Sequence, residues 1–278
     1  SEMCIRGRDR VLSTWERRAS MTLTRELKRR GVNVIARTAV DRVDTGANLG
    51  ATVHYRQGDS DEDRTAYGEV VLAAIGRVPN TDADWFRSSG LKLDERGYVT
   101  VDGYGRTNLD GVWALGDITP GHALAHRAFE QGITIAEKIA GADPKPVLDD
   151  TVPQVVFSFP EAASVGLTLD QAKAREDVVE PKETAYPMLS NARMLMSGEG
   201  GSMTVVSGAF ANNPDMQVVL GVHIVSPIAS DLIAEAEQLV GNRVPLADAA
   251  RLIHPHPTFS ETLGEALLKA DGRPLHTR

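Results

Sequence analysis

The stretch His254-Pro255-His256-Pro257-Thr258-Phe259-Ser260-Glu261 carries the chemistry that stands out first in the 278-residue chain. An imidazole titrates near neutral pH, so it can both take and give a proton. Thr258 and Glu261 have the Thr-x-x-Glu spacing of a capping box, which predicts a helix start at Thr258. That box accounts for Thr258 and Glu261. It leaves His256, set between two rigid prolines, without a role. A carboxylate one turn inside a helix can reach back to an imidazole just before it. His256 and Glu261 are therefore candidates for a general acid/base dyad, in which the carboxylate fixes the ring tautomer and makes the ring more basic.

A second pattern runs from Thr107 to Asp117 and ends Val112-Trp113-Ala114-Leu115-Gly116-Asp117. An apolar strand there would deliver a glycine and then a carboxylate at its C-terminal end, where ligands sit in open α/β sheets. Glycine permits close backbone approach, and Asp117 can accept hydrogen bonds from sugar or ribityl hydroxyls. A bare Gly-Asp is equally an ordinary turn. The eleven residues together resemble the second flavin-binding motif of the flavoprotein oxidoreductases with two dinucleotide domains. The resemblance continues through Gly121-His122-Ala123-Leu124-Ala125-His126-Arg127-Ala128. It implies that Gly116, Asp117, Ala123, Leu124, Ala125 and His126 bind FAD, with a helix N-terminus facing the flavin pyrimidine ring. Free N–H groups at that end can support negative charge on a reduced flavin.

Ala73-Ala74-Ile75-Gly76-Arg77-Val78-Pro79-Asn80-Thr81 is similar to the same family's junction between its nicotinamide and FAD domains. This implies that Gly76 lies beside NAD and that Val40 contacts the adenine. The segment from His254 to Glu261 resembles the His-x-His-Pro-Thr-x-Ser-Glu signature of dihydrolipoyl dehydrogenases within that family. There the second histidine, here His256, is the acid/base of the thiol–disulfide step and the glutamate, here Glu261, orients it. Val152–Leu167 and Leu220–Val225 are similar to the family's interface domain. His223, on the second of these, reads as structural.

These motifs need elements to position them. Trp15, Ala19, Leu23 and Leu27 recur every four residues and predict a helix over 12–30, closed by Lys28, Arg29, Arg30 and Gly31. Short strands are expected at 32–36, 40–43, 51–55, 98–101 and 112–115. Residues 69–76 form a continuous apolar run that suits a strand buried on both faces of a parallel sheet. A helix is expected over 123–140 and a linker over 141–146. Beyond about residue 150 strands are expected at 155–157, 202–207 and 217–225, and helices at 169–175, 227–240, 245–253 and 260–269. Their order lacks strict βαβ alternation. The expected fold is α/β: partial FAD/NAD(P)-binding Rossmann-like domains, then an α+β dimerisation domain. The expected boundaries are a nicotinamide-domain remnant at 1–77, the end of an FAD domain at 78–148, and the dimerisation domain at 149–278.

Composition bounds the class. Forty-two per cent hydrophobic and 24% charged residues describe a globular protein with a core. The net charge of −8 argues against a nucleic-acid or anionic-membrane binder. The single cysteine, Cys4, excludes an intrachain disulfide and a cysteine metal cluster, no metal site is expected, and a reducing cytoplasmic setting fits. The sequence has no Gly-x-Gly-x-x-Gly turn and no cysteine pair. The resemblance, which covers nearly the whole chain, therefore implies the C-terminal portion of a longer homodimeric oxidoreductase, inactive as a fragment. Electrons would pass from the dihydrolipoyl thiols of a protein in a 2-oxo acid dehydrogenase complex to a cysteine pair, then FAD, then NAD. The alternatives are a reductase for another low-molecular-weight disulfide, or a non-catalytic dimerisation module.

Overall fold

The computed structural model describes residues 2–46 and 50–277. They fall into two compact units, Ser1–Ala73 with Val155–Arg278, and Ala74–Gln154.

The first unit opens with β1 (Met3–Ile5), α1 (Arg17–Arg29) and β2 (Asn33–Ile35), with β1 and β2 paired in parallel. An antiparallel sheet follows, made of β3 (Thr38–Thr45), β4 (Ala51–Gln57) and β5 (Arg64–Gly68). Helix α1 starts later than its apolar stripe. Residues 12–15 form a turn instead, closed by Trp15 N–H to Leu12 O at 3.0 Å. The Glu16 carboxylate then caps the helix by accepting from the N–H groups of Arg18 and Ala19. Trp15, Ala19 and Leu23 are nonetheless buried along one side, as the spacing requires.

The second unit holds α2 (Asp84–Ser88) and α3 (Ala125–Ile139), joined by turns around a small core of Phe86, Val99 and Ala114. Two sequence expectations are corrected here. Residues 69–76 form no strand, and Val70, Leu72 and Ile75 are 86–99% exposed. A parallel strand needs a hydrogen-bonded neighbour and cover on both faces, and among the described residues none pairs with this run. The strands expected at 98–101 and 112–115 reduce to single bridges, Leu93 with Val99 and Arg106 with Trp113.

The remainder of the chain runs through β6 (Gln154–Val156), β7 (Glu161–Gly166), α4 (Leu169–Ala174), β8 (Val178–Pro187), α5 (Ala192–Ser197), β9 (Ser202–Phe210), β10 (Asn213–Ser226), α6 (Ala229–Gly241), α7 (Leu246–Ala249) and α8 (Glu261–Ala270). The sheet order is β6-β7-β10-β9-β8, with β10 antiparallel to both β7 and β9. Strand periodicity sends alternate side chains to opposite faces. Val165, Met203, Val205, Val222 and Ile224 pack with Leu232, Ile233 and Ala236 of α6 and with Leu263, Ala266 and Leu267 of α8. On the other side, Ala162 and Val225 meet Ala19 and Leu23 of α1, and Val206, Val218 and Leu220 meet Ala172 of α4. Helix α8, which carries Glu261, thus rests on the largest apolar cluster of the unit.

Gly166 ends β7 with φ +79°, opposite Gly221 of β10. A β-carbon at 166 would collide with the Leu220 carbonyl and the Gly221 Cα. Gly166→Ala therefore places a side chain in left-handed backbone and against main chain at once. It should cost at least about 1–3 kcal/mol, read as a lower urea midpoint with the far-ultraviolet spectrum retained. An unchanged midpoint would contradict this packing.

Candidate active site

The loop between α7 and α8 presents His256 at the surface, with its side chain 72% exposed. Its Nδ1 lies 2.9 Å from Glu261 Oε1. The other carboxylate oxygen, Oε2, accepts the Thr258 N–H at 2.8 Å. Burial pushes the Glu261 carboxyl up, but the Thr258 N–H and the His256 ring outweigh it and leave the group below its ordinary value. An ionised Glu261 accepts only, so Nδ1 is the protonated nitrogen of a neutral His256. Nε2 then offers its lone pair, and among the described residues nothing hydrogen-bonds to it. The pair is built to receive a proton at Nε2 and to stabilise the resulting imidazolium at Nδ1.

The expected capping box forms by half. The carboxylate reaches back to the Thr258 N–H, but the Thr258 hydroxyl donates to Pro255 O at 2.7 Å and accepts from Ser260. The helix consequently starts at Glu261, with Ser260 at the cap and no side-chain bond there. The Thr258 oxygen accepts from the Ser260 hydroxyl, and the Glu261 N–H that a complete box would direct to it is not its partner.

Four residues without an assigned role in the sequence hold this loop: His254, Glu235, Gly264 and Asn191. His254, its side chain only 9% exposed, places Nε2 2.9 Å from Glu235 Oε1 on α6. The Glu235 hydrogen bond holds the His254 ring above its ordinary value. Gly264 on α8 lies under that ring, where a β-carbon would collide with it. Asn191, the cap of α5, donates from Nδ2 to Thr258 O at 3.1 Å. A glycine inside a run of good helix formers is a visible signal for close approach. Glu235 has no such signal, since its partner is distant in sequence. His223 is buried and neutral, pushed down by desolvation, with Nδ1 2.8 Å from Ser164 Oγ and Nε2 donating to Leu167 O.

In the second unit, Gly116 opens a single 3-10 turn with φ +73°, a backbone that favours glycine. Its N–H donates to Gln131 Oε1 of α3 at 2.9 Å. Asp117 follows, exposed and with no hydrogen-bond partner among the described residues. Helix α3 begins at Ala125, and Leu124 at its cap supplies no side-chain bond. The N–H groups of Ala125, His126 and Arg127 consequently have no acceptor among the described residues. Buried Arg127 braces this end, donating to Asp149 Oδ1 at 2.7 Å and Pro120 O at 2.6 Å. His126 donates from Nε2 to Pro153 O at 2.7 Å, which anchors the same helix end. Ala123 and Leu124 are half-buried beside it. An unpaired carboxylate, a left-handed glycine and an uncapped 15-residue helix suit a polyhydroxylated, anionic ligand. A flavin dinucleotide fits that donor and acceptor set.

The structure thus joins His256 to Glu261 and ties Gly116, the neighbour of Asp117, to α3 through Gln131. Val40 sits half-exposed on β3 in the first unit, and Gly76 is exposed with φ +139° in the second. Among the described residues no cluster of His, Cys, Asp and Glu could hold a metal ion, and no helix is long and apolar enough to cross a membrane.

Residues 3–132 match the family described as pyridine nucleotide-disulphide oxidoreductase, and residues 152–267 match the dimerisation domain of the same family. A dihydrolipoyl dehydrogenase of Cupriavidus necator is 38% identical over 254 residues, covering 91% of this chain and 51% of that protein. One from Geobacillus stearothermophilus is 36% identical over 278 residues, covering 98% of this chain and 56% of that protein. The chain therefore spans about half the length of the curated relatives it matches. Among solved structures, LpdA of Mycobacterium tuberculosis superposes with a TM-score of 0.83 at 29% identity, over 96% of this chain and 56% of that one. The HOCl-induced flavoprotein disulfide reductase RclA of Escherichia coli gives 0.82 at 22% identity, over 96% and 59%, a likeness of fold.

The raised His254 value has a consequence for stability. A histidine held above its unfolded value stabilises fully below about pH 6.5 and loses that contribution as pH rises through the folded value. Replacing Glu235 by Gln should therefore lower the urea midpoint of the chain more at about pH 5.5 than at about pH 8.5. A loss of equal size at both would contradict the charged pair.

Proposed function

Because the chain belongs to the pyridine nucleotide-disulphide oxidoreductases, we propose that it is the C-terminal part of an enzyme of the dihydrolipoyl dehydrogenase type. That enzyme oxidises protein-bound dihydrolipoyl groups with FAD and NAD. The observation that carries this reading is the His256–Glu261 pair, with Nδ1 2.9 Å from the carboxylate on a side chain that is largely exposed. Relatives over 30% identical that bear the dihydrolipoyl dehydrogenase name support the choice of thiol substrate.

A dihydrolipoyl thiol must lose its proton before its sulfur can attack a disulfide. His256 Nε2 takes that proton, and the Glu261 carboxylate stabilises the charged ring. Thr258 N–H keeps Glu261 ionised and aimed. The same ring returns a proton when the direction reverses. The cysteine pair comes from outside this sequence, whose one cysteine is Cys4. FAD, when bound, supplies two-electron chemistry between dithiol and nicotinamide. Gly116, Asp117 and the segment 123–126 hold it, with Asp117 accepting from its hydroxyls and the start of α3 supporting negative charge. Gly76 and Val40 serve the nicotinamide dinucleotide.

The reading includes a homodimer in which His256 serves the disulfide of the partner subunit. An acid/base that acts on another subunit must face outward, as His256 does, and the dimerisation-domain match supports the assembly. The fully exposed Ile253 and the half-exposed Leu252 beside it suit a surface that a second copy covers. The division into 1–77, 78–148 and 149–278, a lipoyl-bearing partner from a 2-oxo acid dehydrogenase complex and a cytoplasmic setting belong to the same reading.

In the whole enzyme, His256→Gln should retain FAD and lose dihydrolipoamide oxidation by about 10²–10⁴-fold. Transfer from NADH to an artificial acceptor should fall much less, because it does not use this base. An equal fall in both activities with flavin intact would overturn the assignment. Asp117→Ala removes a charge-assisted hydrogen bond of roughly 1.5–3 kcal/mol and should weaken flavin binding about 10- to 100-fold. Full flavin occupancy at unchanged affinity would remove Asp117 from the site.

A further inference from the structure

Among the described residues the His256 ring has one hydrogen-bond partner, Glu261. Its place in space therefore depends on what holds residues 252–260. On one side Asn191 grips the Thr258 carbonyl. On the other side the anchor is His254, two residues before His256. Its ring is pinned at Nε2 by Glu235 of α6 and flanked by Gly264 of α8. Glu235 is itself 35% exposed, and it lies on the same helix as Leu232, Ile233 and Ala236, which are buried in the core. The loop is thereby tied to two helices that rest on the same sheet face.

We propose that His254 and Glu235 are positioning residues that set the location and tautomer of the His256–Glu261 dyad. The inference rests on the reading of His256 as the acid/base. Gly264 is part of the same device, because any side chain there would displace the His254 ring. His254 transfers no proton in this scheme. Both Nε2 and Glu235 Oε1 are occupied by each other, whereas His256 Nε2 is open. The bond needs an acceptor oxygen at 235 and not a charge, so Gln at 235 should preserve it and Ala should not.

The test is the tautomer of His256, read from two-bond ¹H–¹⁵N spectra of the full chain labelled at histidine, above the pH at which the rings are neutral. The wild type should show His256 as the Nδ1–H form. Glu235→Ala should convert it to a mixture of both tautomers, and Glu235→Gln should restore the single form. His254→Leu, which fills the space without a donor, should reproduce the mixture and serves if Glu235→Ala fails to fold. The buried His223 signals report that the sheet is intact. A single Nδ1–H form retained in both disruptive variants would overturn the positioning role and leave the dyad standing. A mixture already present in the wild type would overturn the dyad as well. In the whole enzyme the same misplacement should lower kcat for dithiol oxidation by roughly 10- to 100-fold with little change in KM.

Discussion

The Glu261 carboxylate has two oxygens and two fixed partners, the Thr258 N–H at 2.8 Å and His256 Nδ1 at 2.9 Å. Everything else around the candidate site follows from that sharing. The first contact helps to keep the group ionised and fixes its plane. The second chooses which nitrogen of His256 carries hydrogen and leaves Nε2 open. A carboxylate with one of these contacts alone could swing or take the proton itself. With both, it can act only on the ring. The start of α8 still bears the cost of an incomplete capping box, whose Thr258 hydroxyl is taken up by Pro255 and Ser260. Helix packing meets it, because Leu263, Ala266 and Leu267 are buried against the sheet one turn further on.

The second candidate site uses the same device with a helix end left open in place of a side chain held fixed. Helix α3 begins without a side-chain cap. An uncapped N-terminus costs stability unless water or a ligand meets its N–H groups. Arg127 and His126 brace that end through Asp149, Pro120 and Pro153, so it keeps its direction without a cap. Asp117 is treated in the same way, placed by the Gly116 turn and without a hydrogen-bond partner among the described residues. In each site the protein fixes the neighbours of a group and leaves the group itself free for something else.

Much of this was legible in the sequence where chemistry is local. The His256–Glu261 pairing follows from a spacing of five residues across a helix start, and the α3 and α8 segments from their apolar periodicity. Strands β6, β9 and β10 follow from short apolar runs, whereas β7 is not among the strands expected from the sequence. What could not be read depends on partners far along the chain. Edge strand β8 carries Pro181 and alternating charges, which disguise a strand as a loop. The run at 69–76 announces burial but cannot name what buries it, and here it stays exposed. The Thr258 oxygen takes its hydrogen bond from the Ser260 hydroxyl and not from the helix N–H that the spacing suggests. Glu235 meets His254 across 19 residues of sequence, a contact that no local pattern encodes.

Chemical rescue isolates the transfer of the thiol proton to His256 from every other step. In the whole enzyme carrying His256→Ala, the single-turnover rate at which dihydrolipoamide reduces the bound flavin is measured with and without added imidazole. A proton taken by His256 requires a large loss that free imidazole partly restores, in proportion to its neutral fraction, while reduction of the same flavin by NADH is indifferent to imidazole. A dithiol rate that survives the substitution, or a lost rate that no concentration of imidazole recovers while the flavin and fold are intact, would contradict it.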